Sequence, residues 1–195
     1  MDQVKNILGF VATFLVFVSY IPYLRDINQG KTKPHIYSWF LWVLVAFIAF
    51  TLQYSGGAGS GSFVTLAAAV MCVAVIISGL VQKSKITITK MDTVFLVLAF
   101  ISLGLWLIAK QPILATILAT TVDLLAFAPT VRKSWIDPFS ETLSFYYLTS
   151  LRFALAVIAL QHYSFVTALY PITWLMVDIL FVVMLLWRRK QVAQK

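Results

Sequence analysis

The sequence predicts an all-helical membrane protein of seven spans, built as two parallel three-helix bundles joined by one linker helix. Three observations predict it: a strongly apolar composition, seven apolar stretches of span length, and punctuation that occurs twice in the same order. Of the 195 residues, 61% are hydrophobic and 11% are charged, against roughly 25% charged in an ordinary globular domain. A soluble chain of this size lacks the interior to hide so much apolar surface, so the bilayer acts as its solvent. The formal charge of +8 does not point to nucleic acid, because the basic residues sit in short loops and at the C-terminus and form no basic domain. The single cysteine, Cys72, lies inside an apolar run, which excludes a disulfide framework and a paired metal site. Met1-Asp2-Gln3-Val4-Lys5 has no basic n-region, and no small-residue cleavage site follows. The chain therefore reads as opening with a retained span.

A bilayer core takes about 20 mostly apolar residues per helix. The spans expected on that rule cover residues 7–24, 36–54, 63–82, 93–109, 113–131, 143–160 and 165–187. No charge occurs between residues 36 and 82, and the stretch is divided only by a Gly-Ser run containing Gly56, Gly57, Gly59 and Gly61, which reads as a flexible turn. The charges then test the count. Seven spans place the loops after the first, third and fifth on one side with the C-terminus. Those segments hold Arg25, Lys31, Lys33, Lys83, Lys85, Lys90, Arg132, Lys133, Arg188, Arg189, Lys190 and Lys195, whereas the opposite side holds only Lys5 and Lys110. This asymmetry predicts an outside N-terminus and a cytoplasmic C-terminus. The run from Gly30 to His35 leading into Ser38-Trp39 resembles a bacterial membrane-protein branch, which implies a bacterial inner (plasma) membrane.

The two halves share punctuation. Pro22-Tyr23-Leu24-Arg25 ends the first expected span and Pro129-Thr130-Val131-Arg132 the fifth. Each is followed by a polar loop and then a serine with aromatics, Ser38-Trp39-Phe40 and Ser144-Phe145-Tyr146, and the third and seventh spans both open on Ser-Phe-Val-Thr, at 62–65 and 164–167. The repeats are thus 1–82 and 111–195, with 83–110 as linker helix. An odd number of intervening spans makes them parallel, about an axis along the membrane normal.

On these residues the chain resembles the SWEET and PQ-loop superfamily over essentially its whole length. The resemblance implies a carrier working by alternating access, with a central pocket between the bundles and Pro22 and Pro129 as hinges. Tyr23 and Thr130 stand where the family carries glutamine, and the pocket asparagines of its sugar carriers have no counterpart. The implied solute is small and polar, of a class the resemblance leaves open. Two alternatives accompany it: a non-transporting receptor of the same fold, and a Pnu-type vitamin-riboside transporter, suggested by Trp39 and Trp42. Oligomeric state, monomer or homo-oligomer, is likewise open.

Asp123, Arg152 and Asp178 are the charges within spans, each within about two residues, or roughly 3 Å of rise, of its helix centre. Such groups are costly in lipid and expected to face the bundle interior. Asp123 shares a face with Thr116 and Thr120, and Asp178 shares one with Trp174 and Pro171. The purely structural alternative pairs Arg152 with Asp178 to lock the bundle. The expected substrate-binding set is Asp123, Arg152, Asp178, Trp174, Thr120, Tyr146, Trp42 and Tyr20, with Asp123 as the carrier of a coupled proton. His35 and His162 read as interfacial. No catalytic grouping, cofactor motif or metal-ligand spacing is visible, and no span carries the lysine a retinal Schiff base needs. An enzyme is not expected.

Overall fold

The computed structural model describes residues 2–32, 34, 36–83 and 90–193. His35, Lys33, Lys85 and Lys195, which figure in the charge reading, lie outside the described residues, as does the side chain of Pro129. The elements are α1 (Asp2–Asn28), α2 (Ile36–Ser55), α3 (Phe63–Val81), α4 (Lys90–Leu107), α5 (Pro112–Ile136), α6 (Leu143–Ala159) and α7 (Phe165–Ala193), with a 3₁₀ turn over Gly59–Ser62. No strand occurs among the described residues. Lipid explains the choice, since without water every backbone N–H and C=O must be satisfied within its own helix.

Five helices, α1, α2, α3 with its preceding turn, α5 and α7, are long and apolar enough to cross a membrane. The apolar part of α4, Thr93–Leu107, and α6 are shorter. At 1.5 Å per residue the 17 residues of α6 reach about 26 Å, short of the roughly 30 Å hydrocarbon core. Five such helices in a chain this apolar fit an integral membrane protein.

Two boundaries differ from expectation. Helix α1 does not stop at Pro22; it runs through it to Asn28. Proline's fixed φ suits a helix, but inside one it forgoes the bond to the carbonyl four residues earlier and its ring crowds that carbonyl. Other contacts must therefore carry α1 onward. The added turn is anchored by Thr142, which donates to Asp26 Oδ2 at 2.7 Å. Helix α5 likewise continues past residue 129 to Ile136. The Gly-Ser run is also more ordered than a flexible turn, because its 3₁₀ turn leads straight into α3.

Packing is not by chain order. Helix α1 packs on α6 and α3, α2 on α3 and α5, α7 on α6 and α5, and α4 on α5 and α2. Among the described residues neither α1 and α2 nor α5 and α6 are packing partners to any extent. At one end of the bundle the start of α1 meets the α2–α3 and α6–α7 connections. Lys5 Nζ donates to the Leu160 carbonyl at 2.8 Å, and Gln161 N–H donates to the Ala58 carbonyl at 3.1 Å. Glycine is required at two points of this seam. Gly59 has φ +64°, and its missing side chain makes way for Gln161. A Cβ on Gly61 would stand 2.9 Å from the Ala156 carbonyl oxygen. The opposite end gathers the C-terminal ends of α1, α5 and α7 and carries most of the basic residues. There Arg188 Nε donates to the Trp135 carbonyl at 3.0 Å and Arg189 Nη2 to the Glu141 carbonyl at 2.7 Å.

Candidate functional site

A cavity of about 340 Å³ lies between the helices, at the lower end of the size range of small-molecule sites. Each of α1, α2, α3, α5, α6 and α7 contributes to it at helical spacing. Helix α7 supplies Tyr170, Trp174 and Asp178, at i, i+4 and i+8, while α5 supplies Asp123, Phe127 and Thr130. From α6 come Tyr146, Thr149, Arg152 and Phe153, and from α2 Ser38, Trp39, Trp42 and Ala46. Tyr20 and Tyr23 of α1 and Thr65, Ala68 and Cys72 of α3 complete the wall.

Seven of the eight residues expected from the sequence therefore meet in one cavity: Asp123, Arg152, Asp178, Trp174, Tyr146, Trp42 and Tyr20. The eighth, Thr120, is buried on α5 but is not part of the lining, and its hydroxyl has no partner. Thr116 donates to the Pro112 carbonyl at 2.8 Å. Neither threonine serves Asp123. That carboxylate is held instead by α7: Tyr170 O–H and Trp174 Nε1–H both donate to Oδ2, at 2.9 and 2.7 Å. Trp174 and Asp178 both line the cavity from α7, and the indole N–H reaches across to the neighbouring helix.

The alternative that locks Arg152 to Asp178 does not appear as a close ion pair. Among the described residues the ion pairs within 4.0 Å are Arg25–Asp26 and Lys133–Glu141. The Arg152 guanidinium instead lies over two rings, 4.7 Å from the Phe153 centroid and 5.8 Å from that of Tyr20. Such cation–π contacts stabilise a cation by about 2 kcal/mol or more once desolvated. They hold Arg152 without neutralising it. The cavity wall consequently presents buried polar atoms with no protein partner: Trp42 Nε1, Arg152 Nε and Nη1, Asp123 Oδ1 and Asp178 Oδ2. Two of these side chains donate and two accept.

Aromatic rings fill the space between. Phe127 packs edge-on to Trp174 with centroids 5.5 Å apart, and Trp39 packs on Trp42 at 4.8 Å. Tyr20 O–H lies 3.5 Å from the Cys72 sulfur. Toward the basic end the lining runs out to exposed Met91 and to Lys133, whose ammonium sits 2.6 Å from Glu141 Oε1. Tyr146 O–H donates to the other Glu141 oxygen at 3.1 Å. Toward the opposite end the lining stops short of the packed seam of Gly59, Gly61, Ala58 and Gln161. Among the described residues no three His, Cys, Asp or Glu side chains gather as metal ligands would.

Among the lining residues that went unread in the sequence are Tyr170, Lys133 and Glu141. Tyr170 carries a usable signal, since it precedes Trp174 and Asp178 on one face at intervals of four. Lys133 and Glu141 carry none, being brought together only by the bend between α5 and α6. Pro22 falls within α1 beside the cavity residues Tyr20 and Tyr23. Comparison of the chain with protein-family models, with curated proteins and with solved structures found no match.

Proposed function

We propose that the chain is a seven-span carrier that moves a small polar solute across the membrane by alternating access, with two parallel three-helix bundles around the central cavity. The observation that carries this reading is the set of buried, unpartnered donors and acceptors around one cavity that reaches one end of the bundle and stops short of the packed seam at the other. A buried polar atom without a partner costs about 1–3 kcal/mol, and more when charged. Four side chains of this kind on one cavity are explained by a partner that enters and leaves. Asp123 and Asp178 offer a free oxygen each, and a coupled proton would travel on one of them.

Two further observations support the repeat. Exchanging α1 with α5, α2 with α6 and α3 with α7 turns the α1–α6 contact into α5–α2 and the α1–α3 contact into α5–α7, and α2–α3 becomes α6–α7; all are packing partners. The lining obeys the same exchange. Offsets taken from the repeated motifs (107 from Pro22 to Pro129, 106 from Ser38 to Ser144, 102 from Ser62 to Ser164) match Tyr20 with Phe127, Ala46 with Arg152, Ala68 with Tyr170 and Cys72 with Trp174. All eight face the cavity. In each of the last three pairs the first half supplies a small side chain and the second half a large one able to hydrogen-bond. On this reading the first half shapes the space and the second half recognises the solute. The basic end is cytoplasmic and the described state faces inward.

Cys72, the one cysteine of the chain, lines the cavity, so a charged thiol reagent that cannot cross the bilayer tests the proposal. Alternating access predicts labelling of Cys72 from either face of oriented vesicles, at different rates. Labelling from the basic face alone, under every condition, describes a fixed receptor pocket and contradicts the carrier.

A further inference from the structure

Resting on the carrier reading, we infer that the cavity takes a small zwitterion, its anionic group on Arg152 and its ammonium group on the free oxygen of Asp123, Oδ1. Trapped water satisfies unpartnered atoms too, and a cavity of this size holds several molecules. Water does not account for the arrangement of charge. Arg152 faces the same cavity as two carboxylates, yet no nitrogen of it comes within 4.0 Å of either. Opposite charges held apart in a medium of low dielectric forgo much attraction. A ligand bearing both charges recovers it by bridging them, whereas a neutral polyol does not.

The free atoms fit such a ligand end by end. The guanidinium has Nε and Nη1 free, each of which donates a charge-assisted hydrogen bond to an anionic oxygen. Trp42 Nε1 adds a third free donor. An ammonium group carries three donors and no acceptor, and Asp123 Oδ1, which has no protein partner, accepts from it. The orientation of that carboxylate is already set by Tyr170 and Trp174 on its other oxygen. Lys133 and Glu141 neutralise one another at the mouth and do not compete. Two carboxylates and one guanidinium remain, and a bound zwitterion leaves one negative charge for a single accompanying proton. The uncharged remainder of the ligand lies against the rings of Phe127, Tyr146 and Trp174.

Thermal unfolding of the full chain in nanodiscs, with four probes of related shape, tests this. The probes are phenylalanine, phenethylamine, 3-phenylpropionate and glucose. Phenylalanine is expected to raise the midpoint in a saturable way, while each singly charged analogue binds tenfold or more weakly and glucose does nothing. Arg152→Gln should abolish the preference for phenylalanine over phenethylamine, and Arg152→Lys should restore part of it. If Arg152→Gln does not fold, Asp178→Asn serves in its place by improving 3-phenylpropionate relative to phenylalanine. Equal binding of a singly charged analogue, or no binding by phenylalanine, overturns the inference. Exchange of labelled phenylalanine across proteoliposomes is read separately. Binding without exchange removes the carrier and leaves the zwitterion site, whereas glucose exchange without phenylalanine binding does the reverse.

Discussion

Replacing Gly61 with alanine puts a Cβ 2.9 Å from the Ala156 carbonyl oxygen and 3.3 Å from the Ala159 carbonyl carbon. Both neighbours are backbone atoms at the end of α6, so relief requires that α6 move away from the 3₁₀ turn. Overpacking of this kind costs about 1–3 kcal/mol. In a carrier the cost falls only on states in which this end is closed. The equilibrium then shifts toward the opposite-facing state by roughly 5- to 150-fold. The readout is the rate at which an impermeant thiol reagent labels Cys72 from the face opposite the basic end, which should rise in Gly61→Ala while labelling from the basic face slows. Gly104→Ala in α4 is the control, since a Cβ there meets nothing within 4 Å and alanine improves helix propensity by up to about 1 kcal/mol. A protein with one fixed state responds differently. Its melting temperature falls by about 2–4 °C per kcal/mol with both labelling rates unchanged. That outcome refutes the two-state reasoning.

Three other outcomes follow from the same geometry. Asp123→Asn keeps one oxygen able to accept from both Tyr170 and Trp174, so the fold survives with a melting temperature lowered by a few degrees. Uptake driven by a pH gradient is lost, counterflow weakens with the loss of the ammonium's acceptor, and unchanged pH-driven uptake removes Asp123 from the coupling. Glu141→Gln breaks the ion pair with half-exposed Lys133, a loss of about 1 kcal/mol or less, but preserves an acceptor for Tyr146; labelling of Cys72 from the basic face should quicken. Ala68→Phe, one turn before Cys72 on the cavity wall and packed in the same buried cluster, fills the cavity and overpacks its wall by about 1–3 kcal/mol. The melting temperature should fall by a few degrees while solute exchange and Cys72 labelling both collapse.

Residues that differ in solubility by many kcal/mol are easy to read in one dimension, and the helices followed from them. Charges within apolar runs pointed to Asp123, Arg152 and Asp178 for the same reason, because nothing but an interior cavity tolerates them. Partnership was less legible. Spacing along one helix reveals which residues share a face, so it linked Trp174 to Asp178 and Thr120 to Asp123. It does not reveal which helix that face meets. The packing of α5 on α7 sends Trp174 and Tyr170 to Asp123, and the rings of Tyr20 and Phe153 take Arg152 from two different helices. Helix ends were misread at Pro22 because proline predicts a stop from its missing N–H and its ring. Contacts beyond the apolar run, such as that between Asp26 and Thr142, carried α1 onward. The pair of Lys133 and Glu141 depended on a bend of six residues between α5 and α6, whose course no local pattern announces.

Solute counterflow is the most direct test of the carrier itself. Proteoliposomes loaded with excess unlabelled phenylalanine are diluted into a trace of the labelled compound, with no ion gradient imposed. The account predicts a transient inward overshoot of label, abolished by Ala68→Phe. Saturable binding of phenylalanine to the same protein with no overshoot would contradict it, and would leave the cavity as the pocket of a receptor.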